Sequence, residues 1–379
     1  MRLAQKEGPP EPAGPGADWS HDPMLWPYTA TKLAMDACFW WMESFGSAEP
    51  SDDTALSWTT PNEVALELPT LLLRDFSRRR AGPPALICAP YALHGALIAD
   101  LAPGHSLIEA LRRGGLDRLY VTDWRSASPE MRFLSIDHYL ADLNVAIDEI
   151  GSPVDLIGLC QGGWLSLVYA ARFPEKVRRL VLVGAPVDVS VESELSRTVA
   201  GASQAAFEAL VNSGGGIVRG AHLLRFWSAL PDVEVVLQRD LSREAPPDKE
   251  LLDRFARWYA VTLDLPGTFY LQTVRWIFRE NRLARGCFVA LGREIHLERL
   301  RTPVFLLAGA DDEIVPVEQA MAAAPLLGTP AAAIESAIIP STHLGLFIGR
   351  RSLATCWPRI ARWLKRDESG KRSRDVASA

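Results

Sequence analysis

The run Val154-Asp155-Leu156-Ile157-Gly158-Leu159-Cys160-Gln161-Gly162-Gly163-Trp164 decides how the rest of the chain is read. An apolar stretch breaks at Gly158, a nucleophile-capable cysteine follows two residues later, and a glycine pair leads into the apolar, alanine-rich segment 165–171. This is the strand–turn–helix setting of a nucleophile elbow, the G-x-S-x-G pattern with cysteine in the serine position. A turn that holds one side chain in a strained backbone conformation leaves no room for Cβ atoms at its flanks, and the glycines meet that need. Free cysteine is otherwise among the most buried residue types. The position of Cys160 between a strand pattern and a helix pattern favours the nucleophile over the buried hydrophobe.

Working outward, short apolar runs bounded by turn residues predict strands at 64–68 and 71–76, antiparallel and joined at Pro69-Thr70, and at 85–89, 119–122, 180–183, 304–308 and 337–339. Helical patterns fall at 106–113, 136–150, after the elbow, and at 352–366. Strands alternating with helices imply an α/β fold with a mostly parallel central sheet and helices on both faces. Between 188 and 300 the alternation stops, and helical segments rich in Trp, Tyr and Phe replace it. A stretch of that length and pattern is read as a mainly helical cap inserted over the sheet. The expected organisation is a disordered terminus (1–22), an apolar N-terminal helix region (23–57) with its helix at 27–45, a core in two parts (58–187 and 301–366) around the cap (188–300), and a disordered tail (367–379).

Composition narrows the class. Of the 379 residues, 48% are hydrophobic and 23% charged, the balance of a globular protein and not of a disordered one. A net charge of -6 argues against nucleic acid as a partner, and the basic runs at 78–80 and 371–374 read as a solvated turn and a tail. The five cysteines, Cys38, Cys88, Cys160, Cys287 and Cys356, are scattered and form no C-x-x-C pair, so neither a disulfide framework nor a structural metal is expected. No apolar stretch approaches the ~20 residues of a membrane span, and no secretory signal pattern is present, which makes a cytoplasmic location the expectation.

The chemistry follows from chain order. Acyl transfer needs a nucleophile, a base that takes its proton and a group that orients the base. The sequence offers Cys160, then Asp311 or Asp312, then His343, each just beyond a predicted strand. In a parallel sheet those strand ends share one edge, and the order nucleophile, acid, histidine is that of α/β-hydrolases. A histidine and a helix N-terminus beside the thiol would both favour its thiolate. The oxyanion of a tetrahedral intermediate would meet the backbone N–H of Gln161 and a second one from the loop after 85–89, at Tyr91 or Ala92. His94, in that loop, is read as a loop or pocket-wall residue and not as a catalytic one. Trp164, Trp258, Phe269 and Tyr270 are the candidate substrate-binding residues, because an aromatic cap suits an apolar acyl ester better than a charged metabolite.

Several stretches carry a resemblance to a known family. They are Ala89-Pro90-Tyr91-Ala92 with Asp100-Leu101-Ala102-Pro103, Tyr120-Val121-Thr122-Asp123-Trp124, the elbow, Asp264-Leu265-Pro266-Gly267-Thr268-Phe269-Tyr270-Leu271, Asp311-Asp312-Glu313-Ile314, and His343-Leu344-Gly345-Leu346-Phe347-Ile348-Gly349-Arg350. Over roughly residues 60–365 the chain resembles the polyhydroxyalkanoate synthase and intracellular polyhydroxyalkanoate depolymerase group, whose nucleophile is typically cysteine. The resemblance implies Cys160 as acyl acceptor, His343 as general base and then acid, and Asp312 as the orienting carboxylate, since it aligns with the acid of the family's Asp-x-Ile stretch. Gly162-Gly163 after Cys160-Gln161 is similar to the synthases. Thr122-Asp123-Trp124, the 264–270 stretch and the histidine ending look more like the depolymerases. The synthases' Trp-Asn-x-Asp box is matched only by Trp258-Tyr259-Ala260-Val261, and synthases usually have a longer region before the sheet.

On that balance the expectation is a cysteine-nucleophile hydrolase of poly- or oligo-3-hydroxyalkanoate, with a synthase-type acyltransferase as the alternative. No cofactor is expected, with coenzyme A entering only as the thioester substrate of the alternative. The expected partner is a hydroxyalkanoate ester or polymer, including a granule surface that helix 27–45 would touch. A non-catalytic granule-binding protein is the reading from another class; it has no use for a nucleophile, an acid and a histidine at three strand ends.

Overall fold

The structure, a computed structural model, describes residues 56–227 and 249–366. The expected N-terminal helix at 27–45 and both terminal segments lie outside the described residues. The eight strands of the central sheet are β1 (Glu63–Glu67), β2 (Leu71–Asp75), β3 (Ala85–Cys88), β4 (Leu119–Trp124), β5 (Val154–Leu159), β6 (Val177–Val183), β7 (Val304–Gly309) and β8 (Ile334–Ile339). They lie in the order β1-β2-β4-β3-β5-β6-β7-β8. β1 and β2 form the expected antiparallel pair and β2 runs antiparallel to β4, while every other neighbour is parallel. β3, β5 and β7 are buried along their whole length, which is why β3 and β7 read as unbroken apolar runs and why Asp155, the one charged residue of β5, is paired with Arg178.

Helices α1 (Leu107–Arg113), α2 (Ile136–Ile150) and α3 (Gln161–Arg172) make the crossovers around β3, β4, β5 and β6. The chain steps one way from β3 to β4 and the other way from β4 onward, so right-handed crossovers put helices on opposite faces of the sheet. The expected start of α1 is exact in its capping: the Ser106 hydroxyl accepts from the Glu109 N–H at 2.9 Å. Between β6 and β7 come α4 (Glu194–Gly201), α5 (Gln204–Ser213), α6 (Gly220–Trp227), α7 (Lys249–Ala260) and α8 (Gly267–Gln272), which runs into a π-helical turn at Thr273–Arg279. The described strands of this stretch are two-residue pairs, such as Ile217–Val218 with Leu265–Pro266, and none joins the central sheet. α9 (Arg350–Leu364) closes the chain against α1.

Two glycines set how tightly the elbow closes. A Cβ on Gly162 would stand 2.2 Å from the Cys88 carbonyl oxygen, and one on Gly158 would stand 2.5 Å from the Gly163 Cα. Both obstacles are backbone, so neither can swing aside. The start of α3 can therefore sit against the end of β3 only without side chains there. Gly162→Ala is expected to destabilise the fold by about 1–3 kcal/mol, the usual range for overpacking, with loss of the elbow geometry; urea unfolding unchanged from wild type would show that the approach is not needed.

Candidate active site

Cys160 sits between β5 and α3 with φ 49° and ψ -117°, a strained backbone conformation for a residue with a side chain. The turn is pinned by the Cys160 N–H, which donates to the Val183 carbonyl of β6 at 2.9 Å. Strain held by neighbouring contacts is how an elbow keeps its nucleophile aimed out of the sheet edge.

Asp312, after β7, and His343, after β8, come to the same edge. His343 Nδ1 donates to Asp312 Oδ2 at 2.8 Å, and both residues are buried. The other oxygen, Oδ1, accepts from the N–H groups of Ile314 (3.0 Å) and Val315 (2.8 Å), so the carboxylate is fixed at both ends. Asp311, the other acid the sequence offered, is exposed. The Cys160 side chain also bears on the imidazole. Burial opposes protonation of His343, but the Asp312 carboxylate, and then the Cys160 sulfur, outweigh it and hold the imidazole pKa well above 6.5.

The oxyanion candidates separate. The Tyr91 N–H is occupied, donating to Gln161 Oε1 at 2.6 Å. Its ring lies in an aromatic cluster with Tyr139 (4.8 Å between centroids) and Phe269 (5.4 Å), and its hydroxyl donates to the Asp264 carbonyl at 3.1 Å. The Gln161 side chain is thus a brace across the loop, a contact between residues 70 apart that no local pattern signals. Gln161 N–H lies at the start of α3, next to the nucleophile.

A cavity of about 250 Å³ opens above Cys160. The core supplies Cys160, Gln161, Trp164, His343, Ala92 and His94 to its wall, and the segment between β6 and β7 supplies Leu223, Trp258, Tyr270, Val274 and Phe278. Of the four expected substrate-binding residues, Trp164, Trp258 and Tyr270 line it. Phe269 does not; it is buried 4.7 Å from the Tyr139 ring, among the core aromatics. Helical periodicity explains the difference, because Phe269 and Tyr270 are adjacent on α8 and so point about 100° apart.

The 264–270 stretch has a structural part as well. Asp264 accepts from Arg219 Nη1 (2.7 Å) and the Gly220 N–H (2.9 Å), donates its own N–H to Ser126 Oγ (2.9 Å), and its carbonyl also receives the Ala127 N–H (2.9 Å). It straps the start of α6 to the loop after β4. Among the described residues no group of three or more His, Cys, Asp or Glu is placed to hold a metal ion, and no helix is long and apolar enough to cross a membrane.

Comparison with known proteins places this geometry. The family described as PHB de-polymerase C-terminus matches residues 234–368. The chain is 29% identical to a poly(3-hydroxyalkanoate) polymerase subunit PhaC of Haloferax mediterranei over 82% of its own length and 65% of the relative's. It is 28% identical to the corresponding subunit of Synechocystis, over 83% of this chain and 86% of the relative. The chain is thus similar to the polyhydroxyalkanoate synthase and depolymerase group of α/β-hydrolases. Among solved structures, a monoacylglycerol lipase of Paleococcus ferrophilus aligns with a TM-score of 0.52 at 19% identity, covering 78% of this chain and 98% of the lipase. That likeness bears on the α/β-hydrolase fold alone. The chain has the α/β-hydrolase fold.

The Asp312–His343 pair links stability to pH. A histidine whose folded pKa lies above its ordinary value of 6.5 stabilises the fold fully below that pH, and the contribution is lost as pH rises through the raised value. The stability lost in His343→Gln is therefore expected to be largest near about pH 6 and to shrink towards alkaline pH. Urea midpoints of both proteins across that range check it; a loss that grows with pH contradicts the assignment.

Proposed function

We propose that the chain is a synthase-type acyltransferase that joins 3-hydroxyacyl groups from a coenzyme A thioester into a polyester. The observation that carries this reading is its relatedness, over more than four fifths of its length, to poly(3-hydroxyalkanoate) polymerase subunits. The hydrolytic expectation rested on the 264–270 and 343–350 stretches. Those segments hold the strap and the histidine, parts that either reaction needs. Hydrolysis and polymerisation share an acyl-cysteine and differ only in which hydroxyl resolves it, so such segments do not separate them.

In this reading His343 takes the thiol proton as Cys160 Sγ attacks the thioester carbonyl. The oxyanion accepts from the Gln161 N–H and, because the Tyr91 N–H is occupied, from the Ala92 N–H. The C–S bond to coenzyme A breaks, its thiolate takes the proton from His343, and an acyl-cysteine remains. The 3-hydroxyl of a second hydroxyacyl group then gives its proton to His343 and attacks the acyl carbonyl; an ester forms and Cys160 is released. Asp312 holds the ring and stabilises the imidazolium at both stages. Trp164, Trp258 and Tyr270 pack on the acyl chain, and the apolar wall excludes competing water. No cofactor beyond the substrate's own coenzyme A is required. A cytoplasmic site of action at the surface of a polymer granule belongs to the same reading.

The hydrolytic alternative keeps one specific support, the depolymerase-type match over residues 234–368. Incubation with 3-hydroxybutyryl-coenzyme A separates the two. Release of free thiol together with growing polymer is expected, reduced by more than about a thousandfold in Cys160→Ala and in His343→Ala. Thiol release without polymer, or release of hydroxyacid from amorphous polyester with no use of the thioester, would replace the synthase reading by a hydrolytic one.

A further inference from the structure

We infer that His94 recognises the 3-hydroxyl of the hydroxyacyl group, accepting its hydrogen bond at Nε2 inside the cavity above Cys160. The inference rests on the acyl part of the proposed substrate and not on whether water or a hydroxyl resolves the acyl-cysteine.

Three buried side-chain polar atoms on residues that line this cavity have no hydrogen-bond partner among the described residues: His94 Nε2, Trp164 Nε1 and Tyr270 Oη. In a wall that is otherwise apolar, each such atom is costly unless a bound molecule satisfies it. Their chemistry differs. The indole N–H only donates and the phenol can do either. His94 Nδ1 lies 3.2 Å from the Val261 carbonyl oxygen, which only accepts, so Nδ1 carries the proton and Nε2 presents a bare lone pair. Burial lowers the imidazole pKa to about 4, with the Val261 carbonyl countering in part, so the ring is neutral at physiological pH. His94 is the one obligatory acceptor of the three, and a hydroxyl is the donor it suits.

The ring is also built into place. It packs against both Trp258 (4.8 Å between centroids) and Tyr259 (4.6 Å). The preceding residue, Leu93, has φ 62°, a left-handed conformation uncommon for a branched side chain. Its carbonyl receives the Leu263 N–H at 2.7 Å, and the Trp258 indole N–H reaches the Gly95 carbonyl at 3.2 Å. A strained loop tied at three points to the 258–263 segment fixes the direction of Nε2, as a site that must discriminate requires. A pocket built to hydrogen-bond a substrate hydroxyl rejects the analogue that lacks it, because the buried acceptor is then left unpaired.

The test measures binding of ethyl 3-hydroxybutyrate and of ethyl butyrate to the full chain carrying Cys160→Ala, by titration with nitrogen NMR of the labelled imidazoles. The hydroxy ester is expected to bind at least about tenfold more tightly, with the His94 Nε2 resonance moving only for it. Adding His94→Leu should bring the ratio to about one, and His94→Gln, which restores an acceptor, should recover part of it. Equal affinities, a ratio unchanged by His94→Leu, or an unmoved Nε2 resonance would overturn the inference. Failure of the synthase reading shows separately, as absence of polymer from the thioester, and leaves this ratio unaffected.

Discussion

The constraint on which the rest depends is the contact between the first turn of α3 and the end of β3. Gly162 lies so close to the Cys88 carbonyl that a single added carbon would overlap it. That approach shortens the turn until Cys160 has nowhere to go except a positive φ, with its sulfur out over the carboxyl edge of the sheet. Once the sulfur is there, chain topology does the remainder, since β7 and β8 end at the same edge and deliver Asp312 and His343. Cys160 is strained, whereas Asp312 and His343 are buried and paired with each other, so of the three only Cys160 is held in a strained backbone conformation.

The sheet brings Cys160, Asp312 and His343 together, and the segment between β6 and β7 supplies much of the wall around the cavity above them. Its aromatic and aliphatic side chains enclose the cavity, while Asp264 and the 258–263 segment bind it to the loops after β4 and β3. These ties reach the loop that carries the oxyanion candidates. A change in this segment would therefore be felt at Tyr91, Ala92 and His94 as well as in the cavity wall.

Much of this was legible in the sequence where a local pattern carries it. α2 runs from Ile136 to Ile150 as its apolar periodicity predicts, and β5 is the apolar run before the elbow. Two strands begin three residues earlier than their apolar runs suggest, each for a physical reason. In β6, Arg178 and Arg179 break the run, but Arg178 pairs with the buried Asp155 and Arg179 with the Arg366 carbonyl. In β8, an edge strand, Glu335 points to Arg359 and Arg366. The acid and the histidine were legible because strand ends fix them. The Gln161 brace and the setting of His94 were not, because they are made by contacts across 70 and 167 residues of chain. The fate of the acyl group is less legible, because the relatives favour the synthase alternative while the depolymerase-type match over residues 234–368 keeps the hydrolytic expectation open.

The central claim is that Cys160 carries the acyl group. Intact-mass and peptide mass spectrometry after brief exposure to a saturated 3-hydroxyacyl-coenzyme A analogue tests it most directly. The account predicts one hydroxyacyl adduct, mapped to the peptide containing Cys160 and released by hydroxylamine. An adduct on another residue, or catalytic turnover with no adduct that Cys160→Ala removes, would contradict it.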